Sequence, residues 1–395
     1  MESHSLPIVM AVVGALLVAG AFANRAANRF GVPSLLAFLA IGMLAGSDGF
    51  GGIWFDDVHR AETIGTVALA LILFSGGLNA DWSHIKPVVR TGLALATLGV
   101  VVSTGLMCLF AHYALRLQWG EAALVGAVIS STDAAAVFGV LKSSGLNIRH
   151  ELSGLLEFES GSNDPVAVFM TLGLTEFLSG HPSSPAMMAQ DFLLEMVLGT
   201  LTGYLVGKAT AFLAGRVDLG GTLPVASCGG ALLAFGGSAA IGGNGFLAVY
   251  LAGLTISACA TSARKDIRHF HDDLSWLMQI SLFLTLGLLV FPSRLPAVAL
   301  TGIMIALVLA FFARPAAVFI SLAFSGLNVR EKAFISWGGL RGAVPIVLAT
   351  YPLIAKLPYS GWLFDVVFFV VLLSSLLQGT TLPWVARRLG LVGTE

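Results

Sequence analysis

ELSGLLEFESGSNDPVAVFMTLGLTEFLS, residues 151–179, is an apolar stretch long enough to cross a bilayer, and it carries Glu157, Glu159, Asn163 and Asp164 within it. An ionisable group well inside hydrocarbon costs about 2.5 kcal/mol or more even on lenient insertion scales, so it persists only when it is paired, wetted or used. Three acids within eight residues therefore demand a reason. On a helix Ser160 and Asp164 are four residues apart and share a face, Glu157 lies seven before Asp164 on that face, and Glu159 stacks with Asn163. Pro165 lacks a donor and its ring crowds the Gly161 carbonyl, so the helix is expected to bend beside Asp164. A buried ion-pair cluster that only fixes packing is the alternative for part of the set, although buried pairs are poor sources of stability.

The rest of the chain has the same solvent. Of 395 residues, 56% are hydrophobic and only 11% charged, against about a quarter charged in soluble domains. Spanning helices need about 20 mostly apolar residues. The chain offers thirteen such windows, at roughly 5–24, 32–46, 62–79, 91–115, 121–141, 151–179, 189–213, 222–241, 244–262, 273–291, 296–325, 329–355 and 362–386. The expectation is an all-α polytopic membrane protein with short connectors and no soluble regulatory domain before Glu395. Of 21 Lys and Arg, fourteen fall on one side of this alternation; Arg60, Arg116, Arg294 and Lys356 fall on the other, and Lys208, Arg314 and Arg341 lie within spans. The positive-inside rule then places the N-terminus outside and the C-terminus in the cytoplasm, with an uncleaved first span. A net charge of −1 spread along a cytoplasmic rim argues against nucleic acid as a partner. Cys108, Cys228 and Cys259 all fall within spans and read as core, not as a disulfide framework.

Two spans look interrupted. Span 5 carries Ser130-Ser131-Thr132-Asp133 at mid-membrane, and consecutive positions about 100° apart cannot all face one neighbour. Small hydroxyl residues satisfy backbone groups released where a helix unwinds around a protein-lined cavity. Span 12 reads ISWGGLRGAVPIVLA, with Gly338, Gly339 and Gly342 around Arg341, and each interior glycine costs about 1 kcal/mol relative to alanine. The two lie seven spans apart and so run in opposite directions. That is the signature of an inverted repeat, spans 4–6 answering spans 11–13, with a substrate site where discontinuous helices cross. Crossed breaks gather two positive and two negative half-helix ends, which Asp133 and Arg341 are suitably signed to balance. In span 3, Gly76-Gly77 marks close helix contact. The segment 263–273, ARKDIRHFHDD, reads as an inside loop. All eight histidines, including His84, His150, His269 and His271, read as loop or span-end residues and not as a relay.

The residues STDAAAV in span 5, ESGSNDP in span 6, FARP in span 11, GGLRGAVP in span 12 and an LFxGGL-type segment in span 3 resemble the monovalent cation:proton antiporters of the sodium/proton exchanger branch. The closest pattern is that of bacterial potassium/proton antiporters also called cell volume regulation proteins. The resemblance covers essentially the whole chain, and the ExESxxND run is highly specific. It implies a homodimer in the bacterial inner membrane, each protomer with a dimerisation scaffold and a core (about 91–179 and 296–386) that moves like an elevator. Carried over residue by residue, it makes Asp164 the cation and proton site and Asn163 its neighbour, with Thr132, Asp133 and Ser160 as contributors. Glu159 is similar to the acid that pairs with a core arginine, here Arg314, leaving Glu157 and Arg341 as the other ion-pair candidates. Many members continue into cytoplasmic regulatory domains, whereas this chain stops at Glu395, which puts regulation by cytoplasmic ligands in doubt.

The chemistry of the residues points the same way. A hard cation wants oxygen ligands, and Asp164, Asp133, Ser160, Thr132 and carbonyls freed by the break supply them. A carboxylate in a low dielectric holds its proton more firmly, so proton and cation compete for one acid. The expectation is exchange of Na+ or K+ for H+, one for one and electroneutral, by a transporter and not an enzyme. No cofactor is implied beyond the transported ions. The rival is a proton- or sodium-coupled symporter of an organic anion, with Arg341 on the substrate. An intramembrane aspartyl protease built on Asp133 and Asp164 lacks a GxGD-type motif, and a passive channel fits crossed breaks poorly.

Overall fold

The computed structural model describes residues 5–30, 33–180, 184–216, 220–259 and 264–392. Among these the chain is helical throughout, with only the isolated bridges Gly46 to Ile53 and Ile148 to Val392 in place of strands. In chain order the helices are α1 (Ser5–Phe30), α2 (Ser34–Ala45), α3 (Val58–Asn79), α4 (Trp82–Leu115), α5 (Trp119–Val128), α6 (Ala134–Ser143), α7 (His150–Leu178) and α8 (Pro185–Arg216). They continue as α9 (Leu223–Ala240), α10 (Gly245–Ala258), α11 (Arg264–Leu289), α12 (Pro292–Ser321), α13 (Val329–Trp337), α14 (Ala343–Ile354) and α15 (Ser360–Leu389). Among the described residues eight helices are long and apolar enough to cross a membrane; α2, α5, α6, α10 and α14 are shorter apolar helices. The chain is a multi-pass membrane protein.

Several helices start where a side chain replaces the missing acceptor of the first turn. Asp57 caps α3 by accepting from Arg60 N at 3.0 Å, and Asn244 caps α10 from Leu247 N at 3.0 Å. Asn328 and Glu331 form a reciprocal capping box at α13, both bonds 2.9 Å. α7 runs unbroken from His150 to Leu178 with Pro165 inside it. α11 starts at Arg264, so the part of the expected inside loop from 264 onward is helix instead. The physical reason is that polarity does not forbid a helix, and hydropathy finds only where the apolar part begins. As a result His271, expected at a span end, is buried within α11, where its Nε2 lies 2.9 Å from Ser227 Oγ.

Two sets of helices pack first among themselves. α3 lies against α10 and α11, α11 against α2, and α8 against α9 and α10. Separately, α4 packs on α5 and α7, and α12 and α13 on α15. Lipid tails are as apolar as leucine, so such contacts are held by close packing, and small residues permit it. A Cβ on Gly77 would run into the Tyr250 carbonyl of α10, and one on Gly253 into the Phe74 carbonyl of α3, whereas Gly76 faces open space. α2 and α11 meet back to back at Gly42 and Gly287 in the same way.

Three helices carry a π turn: α4 at Leu95–Gly99, α12 at Leu309–Ala313 and α15 at Ser375–Gly379. That of α4 lies beside Arg314–Ser321, the part of α12 that follows its own π turn, with Gly99 facing Ser321. Arg314 follows the second directly and Pro315 comes next, so the wider turn accommodates the missing proline donor.

Candidate functional site

Two of the non-helical segments are buried among the helices, residues 129–133 between α5 and α6 and 338–342 between α13 and α14. The two breaks meet: Asp133 N donates to Leu340 O at 2.8 Å. Nη1 of Arg341 donates to the carbonyls of Ser130 and Ser131 at 2.6 and 2.5 Å, the acceptors left over where α5 ends. The carboxylate of Asp133 caps α6, accepting from Ala136 N at 3.0 Å, and a Cβ on Gly342 would run into it. Each charge thus sits at the half-helix end of opposite sign. Asp133→Ala should lower stability by about 1 kcal/mol, the usual loss for an N-cap, while Asp133→Asn should lose far less because its amide oxygen still accepts the Ala136 N–H. Melting temperatures in detergent separate the two, and an unchanged value for Asp133→Ala removes the capping role.

α7 crosses beside the first break and lines it with its polar face. Asp164, 4% exposed, accepts a very short hydrogen bond from Ser131 Oγ, its one hydrogen bond among the described residues. Asn163, fully buried, donates from Nδ2 to Thr132 Oγ1 at 2.6 Å, and its Oδ1 has no partner among the described residues. Thr132 Oγ1 in turn lies 3.4 Å from Glu159 Oε1. Ser160 holds the unwound backbone open, its Oγ donating to Thr132 O at 3.0 Å and accepting from Ala134 N at 3.1 Å. Glu159 forms a buried bidentate pair with Arg314 of α12, Oε1 to Nη1 at 2.7 Å and Oε2 to Nη2 at 2.9 Å. That geometry is the strong form of the Arg–carboxylate contact.

The structure therefore gathers Asp164, Asn163, Thr132, Ser160, Glu159, Arg314, Asp133 and Arg341 around the two breaks. It does not pair Glu157 with Arg341. Glu157 is half-buried and makes no hydrogen bond or ion pair among the described residues. The reason is axial: Glu157 lies seven residues, roughly 10.5 Å along the axis, before Asp164, the acid on the same face of α7 that meets the first break. Arg341 for its part is 1% exposed and spends its guanidinium on the carbonyls of the opposite break.

Some supporting residues carried no warning in the sequence. Ser131 was visible only as part of a polar run, yet it is the one that meets Asp164. Ser374, Ser375 and Gln378 of α15 hold the second break: Arg341 N donates to Ser374 Oγ at 3.2 Å, Ser375 Oγ to Arg341 O at 3.4 Å, and Gln378 Nε2 to Trp337 O at 3.1 Å. The available signal was a Ser-Ser pair one turn from a glutamine inside an otherwise apolar span.

What this arrangement offers is a buried carboxylate in a pocket of hydroxyl, carbonyl and amide oxygens, with both nearby arginines already committed. The chain is similar to known proteins over nearly all its length. A family model described as the transmembrane sodium/hydrogen exchanger matches residues 12–388. The K(+)/H(+) antiporter NhaP of Alkalimonas amylolytica is 40% identical over 397 residues, covering 99% of this chain and 68% of that protein. The K(+)/H(+) antiporter NhaP2 of Shewanella sp. (strain ANA-3) is 41% identical over 381 residues, covering 95% and 66%. The chain thus spans about two thirds of the length of these relatives. The structure of the sodium proton antiporter MjNhaP1 from Methanocaldococcus jannaschii at pH 8 superposes with a TM-score of 0.84 at 25% identity, covering 95% of this chain and 99% of that one.

Proposed function

The chain belongs to the sodium/hydrogen exchanger family, and from that premise we propose that it exchanges a monovalent alkali cation for a proton across the membrane, both ions competing for Asp164. One observation carries the reading. The Asp164 carboxylate is buried with one hydroxyl donor among the described residues, while Arg314 is held by Glu159 and Arg341 by backbone carbonyls. A charge so placed has no fixed counter-ion, so a mobile one, H+ or an alkali cation, must neutralise it. Asn163 Oδ1, buried without a donor, is a ready ligand for a cation, since an unsatisfied buried acceptor is costly until something fills it. Thr132, Ser160 and Asp133 contribute by shaping the unwound segment, and Glu159 by anchoring it through Arg314.

The finer reading has thirteen spans, with α5–α6 and α13–α14 as two discontinuous spans crossing at the midplane. α4–α7 and α12–α15 form the moving core, and the remaining helices form the scaffold of a homodimer in the bacterial inner membrane. The N-terminus is outside and the C-terminus cytoplasmic. Such a transporter serves pH homeostasis and cell volume regulation. The organic-anion symporter needs an available guanidinium, and Nη1 of Arg341 is held by the carbonyls of Ser130 and Ser131.

Because position 163 is Asn and one carboxylate loads, one proton leaves for each cation that binds, and exchange is electroneutral. The test is purified protein in liposomes with a pH dye, given sodium, potassium and lithium salts in turn, at several clamped membrane potentials. Cation-driven proton flux whose reversal point does not move with voltage is the expected result. A reversal point that shifts with voltage overturns the one-carboxylate scheme, and absence of flux with all three cations overturns exchange itself.

A further inference from the structure

We propose that Glu157 is a proton-relay carboxylate, passing the exchanged proton between Asp164 and the face of the membrane from which α7 starts, across a barrier formed by Tyr250. This rests on the exchange reading above and adds a residue to it. Glu157 has no hydrogen bond and no ion pair among the described residues. The charged groups acting on it are Arg268 of α11 and Asp81 just before α4. Arg268 is engaged elsewhere, donating to both oxygens of Asn79, with Nη2 to the carbonyl at 2.8 Å. An acid within a spanning helix that is not paired must be wetted or used.

Its position says for what. Glu157 and Asp164 share a face of α7 and stand seven residues apart, two turns or roughly 10.5 Å along the axis. That exceeds direct hydrogen-bond reach, about 3 Å, so the proton needs an intermediate path. Between them on the same face lies Gly161, and the phenol ring of Tyr250 from α10 fills the space where its side chain would be. Tyr250 is almost fully buried, and its hydroxyl has no hydrogen-bond partner among the described residues. The face therefore carries an unpaired acid, an aromatic plug with an unused hydroxyl, and the loading acid, in that order. α7 and α10 belong to different helix sets, so a shift of one set against the other moves the ring off Gly161 and admits water to the gap. The transfer balances simply. As a cation arrives, the Asp164 carboxylic acid becomes carboxylate and its proton crosses that water; the Glu157 carboxylate becomes the acid and then releases the proton to bulk water. Glu157 ends each cycle as it began, so one proton still moves per cation.

A relay differs from a packing residue in which exchange mode it serves. In liposomes, cation/proton exchange is read with a pH dye, and isotopic cation/cation self-exchange at fixed pH is read by tracer uptake; only the first moves protons. Glu157→Gln is expected to slow cation/proton exchange about tenfold or more, a modest share of what positioned proton transfer contributes, while self-exchange stays within about twofold of wild type. Parallel loss in both modes, or loss in neither, overturns the relay. If Glu157→Gln does not fold, Glu157→Asp read in the same two modes decides it, selective loss supporting the relay and parallel loss overturning it. A wild type lacking both modes overturns the exchange reading and the relay with it, which separates that failure from the failure of Glu157 alone.

Discussion

Asp164→Asn is expected to abolish cation/proton exchange, by about a hundredfold or more, in a protein that still folds, inserts and melts as the wild type does. The folding half follows from the surroundings. Asn has the shape of Asp, its amide oxygen accepts the Ser131 hydroxyl, and removing the charge deletes a buried ion with no fixed partner. The activity half follows because no other described acid at the breaks is unpaired: Glu159 is locked to Arg314 and Asp133 caps α6. Asp164→Glu keeps a titratable group one methylene longer and should retain a small residual rate. The measurement is cation-driven proton flux in liposomes beside a detergent melting curve. Turnover of the Asn variant at the wild-type rate removes Asp164 from the site.

Breaking the Glu159–Arg314 pair is expected to be the most damaging single change to stability. Both groups are buried and joined by two short bonds, and removing one partner strands the other, at about 3 to 5 kcal/mol. Glu159→Gln and Arg314→Met should therefore each lower the melting temperature strongly, whereas the double variant should fall by less than the sum. The loss is not confined to two helices. A Cβ on Gly339 would sit 2.7 Å from Arg314 Nε, so the pair also abuts the break between α13 and α14. Strictly additive losses across the cycle mean that the contact contributes no coupling energy.

How much of this was legible depended on whether chemistry or geometry marked the residue. A polar quartet in an apolar span and three glycines in five residues are chemical signals, and the helices stop at those two places. Asp164 beside Asn163 and Pro165 is equally visible. That Glu159 and not Glu157 pairs with Arg314 was legible through the family resemblance alone, because either acid suits an arginine and only the rotation of α7 separates them. Ser131, Ser374 and Ser375 were hidden for a related reason: a serine in a membrane helix satisfies itself on the preceding turn, so its sequence context is the same whether or not it reaches a neighbour. The early start of α11 at Arg264 escaped because a hydropathy window sees where a helix becomes apolar, not where it begins.

The π turn at Leu309–Ala313 decides where Arg314 points. It holds one residue more than an α turn, so everything after it is rotated by about 100° relative to an uninterrupted helix. The aim of the guanidinium is therefore set by a count of residues and not by their identity. Phe311 and Phe312 are exposed to the lipid side, and exchange for other bulky apolar residues keeps that count. Closing the turn to α geometry with every residue kept would swing Arg314 about 100° away from Glu159, whereas losing one residue together with the wide turn would cancel. The segment is consequently free to drift in composition, while its length and its hydrogen-bond pattern are tied to each other, a form of restraint that a table of allowed amino acids at each position would not register.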